Sequence, residues 1–251
     1  MPLVPTRSYL IWFTPRTGST LLCKGLEDTG LLGKPGEHLL IVNEGSLAAK
    51  YGVASYADLQ QAMWDLGSSS NGVFGVKYAL QNSVHQKILT ELAAFPDANG
   101  RSGEDLFQEL FPNCRHLFLS RGHKIRQIVS WWKAIQDQLW HLQPGEEQIV
   151  AKQFFEDRYD LDALRHLLTE ISLRETAIAE MLVGKPYLSL TYESFQQDLN
   201  PVLQQIASWI GVEETLPEVS FGLTKTSNDF SHIWMERLRT DLQKGWDNPS
   251  W

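Results

Sequence analysis

Residues 9–22 read YLIWFTPRTGSTLL. The apolar run that ends at Thr14 is short and stops before Pro15, which is typical of a strand buried on both faces of a parallel sheet. From Ser19 onwards the apolar residues recur at helical spacing. The stretch therefore predicts a buried strand, a turn and a helix in direct succession, the unit from which α/β folds are built.

Three later segments share this short apolar character, and each leads into a polar turn and a helical pattern: residues 73–78, 115–120 and 186–191. Strands that alternate with helices imply right-handed crossovers and a central, mainly parallel sheet flanked by helices. In such α/β folds, ligands bind beyond the carboxyl ends of the strands. Helical periodicity is clearest over residues 19–30, 56–66, 81–95, 123–142, 161–183, 195–211 and 227–242.

The composition is that of a soluble globular chain, with 251 residues of which 43% are hydrophobic and 21% charged. This length favours one domain over residues 1–251. The net charge of −8 repels polyanions, so nucleic acid is not an expected partner. Without a signal-peptide pattern or a run of roughly 18 apolar residues, we expect no integral membrane association. Only two cysteines are present, which suits a reducing compartment and a cytoplasmic location.

The turn after the first predicted strand has the composition of an anion-binding loop. Arg16 supplies a cation, Gly18 permits a tight turn, and Ser19 and Thr20 begin the helix. Unpaired amides at a helix N-terminus and the helix dipole both favour negative charge there. The alternative is that the two hydroxyls only cap the helix. The loop is not a Walker A motif, because no Lys follows the glycine, and this disfavours a nucleoside triphosphatase.

Several stretches together resemble the bacterial trehalose 2-sulfotransferase-like family of sulfotransferases, which use 3′-phosphoadenylyl sulfate (PAPS) as the donor. The similar stretches are PRTGSTLL at residues 15–22, GKPGE at 33–37, FGVK at 74–77, LSRGHKIRQIVSWWKA at 119–134, YE at 192–193 and WMER at 234–237. The resemblance extends from about residue 9 to residue 242 and implies a P-loop-like three-layer fold.

The resemblance also implies two anion sites for PAPS and for its product 3′,5′-ADP. Arg121 and Ser130 would bind the 3′-phosphate, a role that suits a planar guanidinium and a hydroxyl. The alternative is that Arg121 pairs with a surface carboxylate and Ser130 bonds to its own helix. Gly122 stands where relatives often have another Arg, and Lys124 or Arg126 could replace that charge. The 5′-phosphosulfate would be bound by Arg16, Thr17, Gly18, Ser19, Thr20 and Leu21.

Glu37 is the candidate general base, because the family has a glutamate there and because Pro and Gly fix a turn before it. His38 is the rival base, since imidazole titrates closer to neutral pH. Arg16 would stabilise charge on the leaving oxygen. A sulfuryl group carries less charge than a phosphoryl group, so we expect no metal requirement, and the His and Cys residues lack ligand spacing.

The function that these features predict is sulfuryl transfer from PAPS to a hydroxyl of a carbohydrate or glycolipid, with trehalose as the family's acceptor. The alternatives are a non-catalytic nucleotide-binding module and a small-molecule kinase of related fold. The resemblance admits a homodimer. Acceptor specificity is expected in residues 37–46 and 67–72. Lys77, Trp140 and Arg237 are further candidates for ligand contact.

Overall fold

The structure is a computed structural model and describes residues 4–41, 44–138, 158–220 and 229–246. The chain divides into two compact units. The first unit comprises Met1–Ser120 and Arg174–Val219, and the second comprises Arg121–Leu173 and Ser220–Trp251. The expectation of a single domain stays a prediction.

The elements follow the predicted alternation of strands and helices. In chain order they are β1 (Arg7–Phe13), α1 (Ser19–Asp28), α2 (Leu47–Tyr51), α3 (Tyr56–Gly67), β2 (Val73–Tyr78), α4 (Asn82–Ala93), a short 3₁₀ turn (Pro96–Ala98), α5 (Gly103–Glu109), β3 (Cys114–Ser120), α6 (Lys124–Asp137), α7 (Leu161–Met181), β4 (Tyr187–Thr191), α8 (Tyr192–Phe195), α9 (Asn200–Ile210) and α10 (Asp229–Gln243).

The four strands form one sheet in the order β2-β1-β3-β4, and every neighbouring pair is parallel. The α/β prediction with a central parallel sheet is therefore confirmed. β1 and β2 are buried almost throughout, which is why their sequences are mostly apolar. The strand order reverses between β1 and β3, and ligands of open parallel sheets bind beyond the carboxyl ends at this kind of position.

The core of the first unit is rich in aromatic side chains that pack on the sheet. Trp12 and Tyr78 lie with their ring centroids 5.6 Å apart, and both are buried. Phe107 contacts Tyr78 and also Phe111, so the sheet is joined to α5 and the residues just after it. Aromatic rings bury a large apolar area each, which stabilises this side of the sheet.

The second unit has its own core, formed by α6, the first part of α7 and α10. Trp131 of α6 and Trp234 of α10 are buried in it, together with Leu167 and Leu238. Trp132 is half-buried, and its Nε1 donates a hydrogen bond to the carbonyl of Arg158 at 2.8 Å. Trp140 lies outside the described residues.

Two helix predictions differ from the structure. The helix predicted over residues 195–211 is instead the short α8 followed by α9, because Pro201 lies in the first turn of α9, where its missing N–H costs nothing. α5 was not predicted, since its seven residues are too short to show periodicity. The N-cap residue of α5 is Ser102, whose side chain accepts a hydrogen bond from the Asp105 amide.

No helix within the described parts of the chain combines the length and the apolar character that crossing a membrane requires.

Candidate active site

The turn between β1 and α1 has two residues in the left-handed conformation, Arg16 with φ of 65° and Gly18 with φ of 77°. For an L side chain such as that of Arg16 this conformation costs about 1 kcal/mol or more. Left-handed residues in a turn direct backbone N–H groups toward a common point, as in anion-binding nests. The helix that follows has no acidic residue in its first turn. The turn therefore suits an anion.

The side chains of the turn differ in what they contact. The hydroxyl of buried Thr17 donates a hydrogen bond to the carbonyl of Thr14 at 2.9 Å, which leaves its backbone N–H as the group for a ligand. Gly18 is the N-cap of α1, and no side chain caps this helix. The alternative that Ser19 and Thr20 only cap α1 is therefore wrong. Ser19 is buried, Leu21 is half-buried and Thr20 is exposed.

Gly18 is covered by the ring of Tyr192, the first residue of α8. A Cβ at Gly18 would lie 2.4 Å from Cδ2 of Tyr192 and 3.4 Å from Cε2 of Phe195. The turn thus needs glycine for two reasons, its positive φ and the close approach of this ring. The contact of Tyr192 with the turn was not predicted, because it depends on tertiary packing.

Glu37 follows a segment that runs along the outer edge of β2. The amide of Lys77 donates a hydrogen bond to the carbonyl of Gly36 at 3.0 Å, and Gly36 forms a parallel bridge with Val76. This backbone pairing brings Glu37 beside the end of β2. Oε1 of Glu37 lies 2.9 Å from Nζ of Lys77, with 33% of the Glu37 side chain exposed and 9% of that of Lys77.

Lys77 joins the candidate base to the anion-binding turn. Its Nζ, besides contacting Glu37, donates a hydrogen bond to the hydroxyl of Thr20 at 3.2 Å. The same Nζ lies 5.5 Å from the ring centroid of Phe13. The sequence offered one signal for this role, a lysine near the carboxyl end of an otherwise apolar strand that is followed by a helix.

His38 is buried beneath the same turn and has a structural contact. Its Nε2 lies 3.1 Å from the carbonyl of Lys34, and the ring lies directly under Gly36, where an added Cβ would be 2.8 Å from Cε1. Burial lowers the pKa of His38 below its ordinary value of 6.5. A neutral imidazole with Nε2–H bonded to a carbonyl is a poor proton acceptor at that atom, so the geometry favours Glu37 over His38.

Two side chains of α2 hold the turn that carries Glu37. Nζ of Lys50 donates hydrogen bonds to the carbonyls of Glu37 and Leu40, at 3.0 and 2.7 Å. The hydroxyl of Tyr51 donates to the carbonyl of His38 at 2.9 Å. Burial raises the pKa of Tyr51 to about 12, which keeps this hydroxyl protonated as a donor. Neither contact was predicted, since α2 is only five residues long.

The loop of residues 67–72, in which we expected acceptor specificity, lies at the amino ends of the strands. The turn between β1 and α1 lies at their carboxyl ends. Gly72 precedes β2, and its carbonyl accepts a hydrogen bond from the amide of Thr6, just before β1. In a parallel sheet the amino ends of all strands lie at the same end of the sheet, so a loop that enters β2 cannot flank the turn that leaves β1. That part of the specificity prediction is wrong.

The residues predicted to bind the 3′-phosphate belong to the second unit. Arg121 directly follows β3, Ser130 is the seventh residue of α6, and both are half-buried. His123 caps α6, because its Nδ1 accepts a hydrogen bond from the Arg126 amide at 3.2 Å. The guanidinium of Arg237 lies 3.9 Å from the ring centroid of Tyr159, which gives it a partner within the protein.

Among the residues that the structure describes, no cluster of three or more His, Cys, Asp or Glu side chains could hold a metal ion. Independence from metal stays a prediction.

A comparison with protein families decides which family the chain belongs to. The profile of the Stf0 sulphotransferase family matches residues 8–241, which include nearly all of both units. The chain belongs to the Stf0 sulphotransferase family. The family resemblance read from the sequence is thereby confirmed, and this Stf0 sulphotransferase is a transferase.

Two curated relatives of this Stf0 sulphotransferase are similar over almost their whole length. One is the trehalose 2-sulfotransferase of Mycobacterium tuberculosis (strain ATCC 35801 / TMC 107 / Erdman), 24% identical over 266 residues, with 95% of this chain and 96% of the relative covered. The other is the trehalose 2-sulfotransferase of Mycolicibacterium smegmatis (strain ATCC 700084 / mc(2)155), 22% identical over 264 residues, with 94% and 96% covered.

Proposed function

We propose that this protein transfers the sulfuryl group of PAPS to a hydroxyl of a carbohydrate or glycolipid acceptor related to trehalose, with Glu37 as the general base. One observation carries the proposal. Nζ of Lys77 lies 2.9 Å from Oε1 of Glu37 and 3.2 Å from Oγ1 of Thr20, so a carboxylate stands beside an anion-binding turn. Two trehalose 2-sulfotransferases that align with almost the whole chain support a sugar acceptor.

The turn after β1 would bind the donor's 5′-phosphosulfate through Arg16, the amides of residues 17–20 and the start of α1. Glu37 would accept the proton of the acceptor hydroxyl as that oxygen forms its bond to sulfur. On the opposite side, the bond from sulfur to the 5′-phosphate oxygen breaks, and Arg16 stabilises the charge that develops there. Positioning and charge stabilisation carry most of the catalysis in such transfers between oxygens.

For the 3′-phosphate of PAPS we propose Arg121 and Ser130. A guanidinium and a hydroxyl suit a phosphate dianion, and this phosphate distinguishes PAPS from ATP-like nucleotides. A homodimer and a cytoplasmic location stay predictions.

Calorimetry with 3′,5′-ADP, 5′-AMP and ATP tests the donor assignment. We expect the chain to bind 3′,5′-ADP more tightly than either competitor. Arg121→Ala should weaken 3′,5′-ADP binding about 10- to 100-fold, because charged hydrogen bonds are worth roughly 1.5–3 kcal/mol. Arg165→Ala is the control, since that arginine also lies in the second unit and its side chain is 51% exposed. Equal binding of the three nucleotides would overturn the assignment.

Transfer of labelled sulfuryl from PAPS to trehalose and to other sugars tests the reaction itself. Binding of 3′,5′-ADP without transfer to any hydroxyl would favour a non-catalytic nucleotide-binding module. Phosphoryl transfer that needs ATP and Mg²⁺ would favour a kinase of related fold.

A further inference from the structure

We propose that Lys77 is a positioning residue for the reaction, because its ammonium group fixes the carboxylate of Glu37 beside the turn between β1 and α1. The inference rests on the proposed function, in which Glu37 is the base. It assigns a role to a side chain that neither Glu37 nor the turn would reveal by itself.

The backbone of Lys77 is paired on both sides of β2. Lys77 lies within β2, its Cα is paired with that of Ile11 in β1, and its amide bonds to Gly36. Glu37 lies in a turn and extends a partly exposed side chain from it. A strand residue of this kind can orient a side chain that a turn alone would leave free to move.

Because the side chain of Lys77 is buried, its ammonium group needs a charged partner such as Glu37. A buried ammonium group is costly unless it is paired and hydrogen-bonded. Nζ of Lys77 meets this need with Oε1 of Glu37, the hydroxyl of Thr20 and the face of Phe13. If Glu37 swung into solvent, Lys77 would lose its carboxylate partner, so the pair holds both side chains in place.

Among the residues that the structure describes, Cys23 and Lys50 also interact with this pair, and neither replaces Lys77. Cys23 of α1 is buried, and its thiol pKa is raised to about 12, so it carries no charge at neutral pH. Lys50 of α2 interacts electrostatically with Glu37, but its Nζ bonds to the backbone carbonyls of Glu37 and Leu40 rather than to the carboxylate. Lys77 is therefore the cation that contacts Oε1.

The test compares the kinetics of sulfuryl transfer by wild type, Lys77→Met and Lys77→Arg. We expect Lys77→Met to lower kcat about 10²-fold, the loss typical of a misplaced catalytic group, and to change KM for PAPS little. Lys77→Arg keeps a cation that can pair with Glu37, so it should recover part of kcat.

Lys24→Met is the matched control, since Lys24 is 58% exposed on α1 and pairs with Asp28 instead. It should leave both kcat and KM unchanged. If Lys77→Met does not fold, Lys77→Gln replaces it, because an amide can still hydrogen-bond to Glu37 and Thr20 without a charge. A raised KM with an unchanged kcat in the neutral variant, or no recovery of kcat by Lys77→Arg, would overturn the role of Lys77.

A readout without turnover separates this inference from the proposed function. Carbon-detected NMR relaxation of the Glu37 side chain should show motion of larger amplitude in Lys77→Met than in wild type, because the carboxylate loses the partner that holds it. If wild type transfers no sulfuryl group, the proposed function fails, while the relaxation measurement still decides whether Lys77 positions Glu37. Unchanged motion of the Glu37 side chain would refute that role.

Discussion

The ring of Tyr192 lies so close to Gly18 that an added Cβ would be 2.4 Å from Cδ2 of the ring. Gly18 also has φ of 77°, which strains any L side chain. We expect Gly18→Ala to lower the free energy of unfolding by about 2–4 kcal/mol, from strain and steric overlap together. Urea unfolding measures this loss.

Gly30→Ala is the control for that substitution. Gly30 has φ of 68° and no atom within 4 Å of an added Cβ. Gly30→Ala should therefore lower the free energy of unfolding by only about 1–2 kcal/mol. Equal losses at the two glycines would show that Tyr192 does not restrict the turn.

Glu37→Gln and His38→Ala should affect the protein in opposite ways. Removal of a general base costs about 10² to 10⁴ in rate, so Glu37→Gln should lose transfer and keep 3′,5′-ADP binding. His38→Ala should keep kcat and lose about 1–3 kcal/mol of stability, because the buried imidazole and its hydrogen bond to the carbonyl of Lys34 are both lost. Steady-state kinetics with thermal unfolding check both. A variant Glu37→Gln with near-normal turnover would exclude it as the base.

Arg16→Gly separates conformational strain from charge. Glycine adopts the φ of 65° at this position without strain, so the free energy of unfolding should stay level or rise by up to about 1 kcal/mol. Sulfuryl transfer should fall at least about 10²-fold, because in the proposed mechanism this guanidinium stabilises the leaving oxygen. Gln138→Gly relieves a similar φ of 55° in the second unit and should leave transfer intact. Undiminished transfer by Arg16→Gly would contradict the role of this arginine.

His116 should make stability depend on pH. Burial, with a smaller contribution from Lys185, lowers its pKa to about 4, and Nδ1 accepts a hydrogen bond from Nε1 of Trp12 at 3.2 Å. The unfolded chain takes up this proton near pH 6.5, before the folded chain does. This contribution is therefore complete above about pH 6.5 and is lost as the pH falls toward 4.

His116→Asn tests that dependence, because the Asn oxygen can accept the Trp12 hydrogen bond and cannot be protonated in this range. Its free energy of unfolding, measured in urea between pH 4 and 7, should fall less steeply toward acid than that of wild type. The same slope in both proteins would show that His116 is not responsible.

Local sequence patterns predicted the strands well. β2 spans the same residues as its prediction, and β3 and β4 each differ from theirs by one residue at the start. β1 begins two residues earlier and ends one residue earlier than predicted. The reason is physical, because strands that are buried in a parallel sheet must be short and apolar, and turn residues bound them. Gly211, the last residue of the predicted range 195–211, caps α9 in the left-handed conformation.

The contacts that complete the candidate site could not be predicted in the same way. Glu37 reaches Lys77 only because the chain before Glu37 pairs with β2, and this pairing leaves no periodic pattern in the sequence. The covering of Gly18 by Tyr192 joins residues far apart in the chain, so it depends on the packing of α8. The sequence identified the residues of the candidate site, whereas the contacts between them could be read only from the three-dimensional structure.

The hydrogen bonds of the chain before Glu37 have a consequence for protein engineering. Lys34 and Gly36 attach this segment to Gly67 and Lys77, so the backbone under the carboxylate is as fixed as an edge strand. Libraries that randomise the chain between Leu40 and α2 would leave those bonds untouched. Such libraries are the place to search for new acceptor preferences, because chemistry and selectivity would then be carried by separate, exchangeable parts of the enzyme.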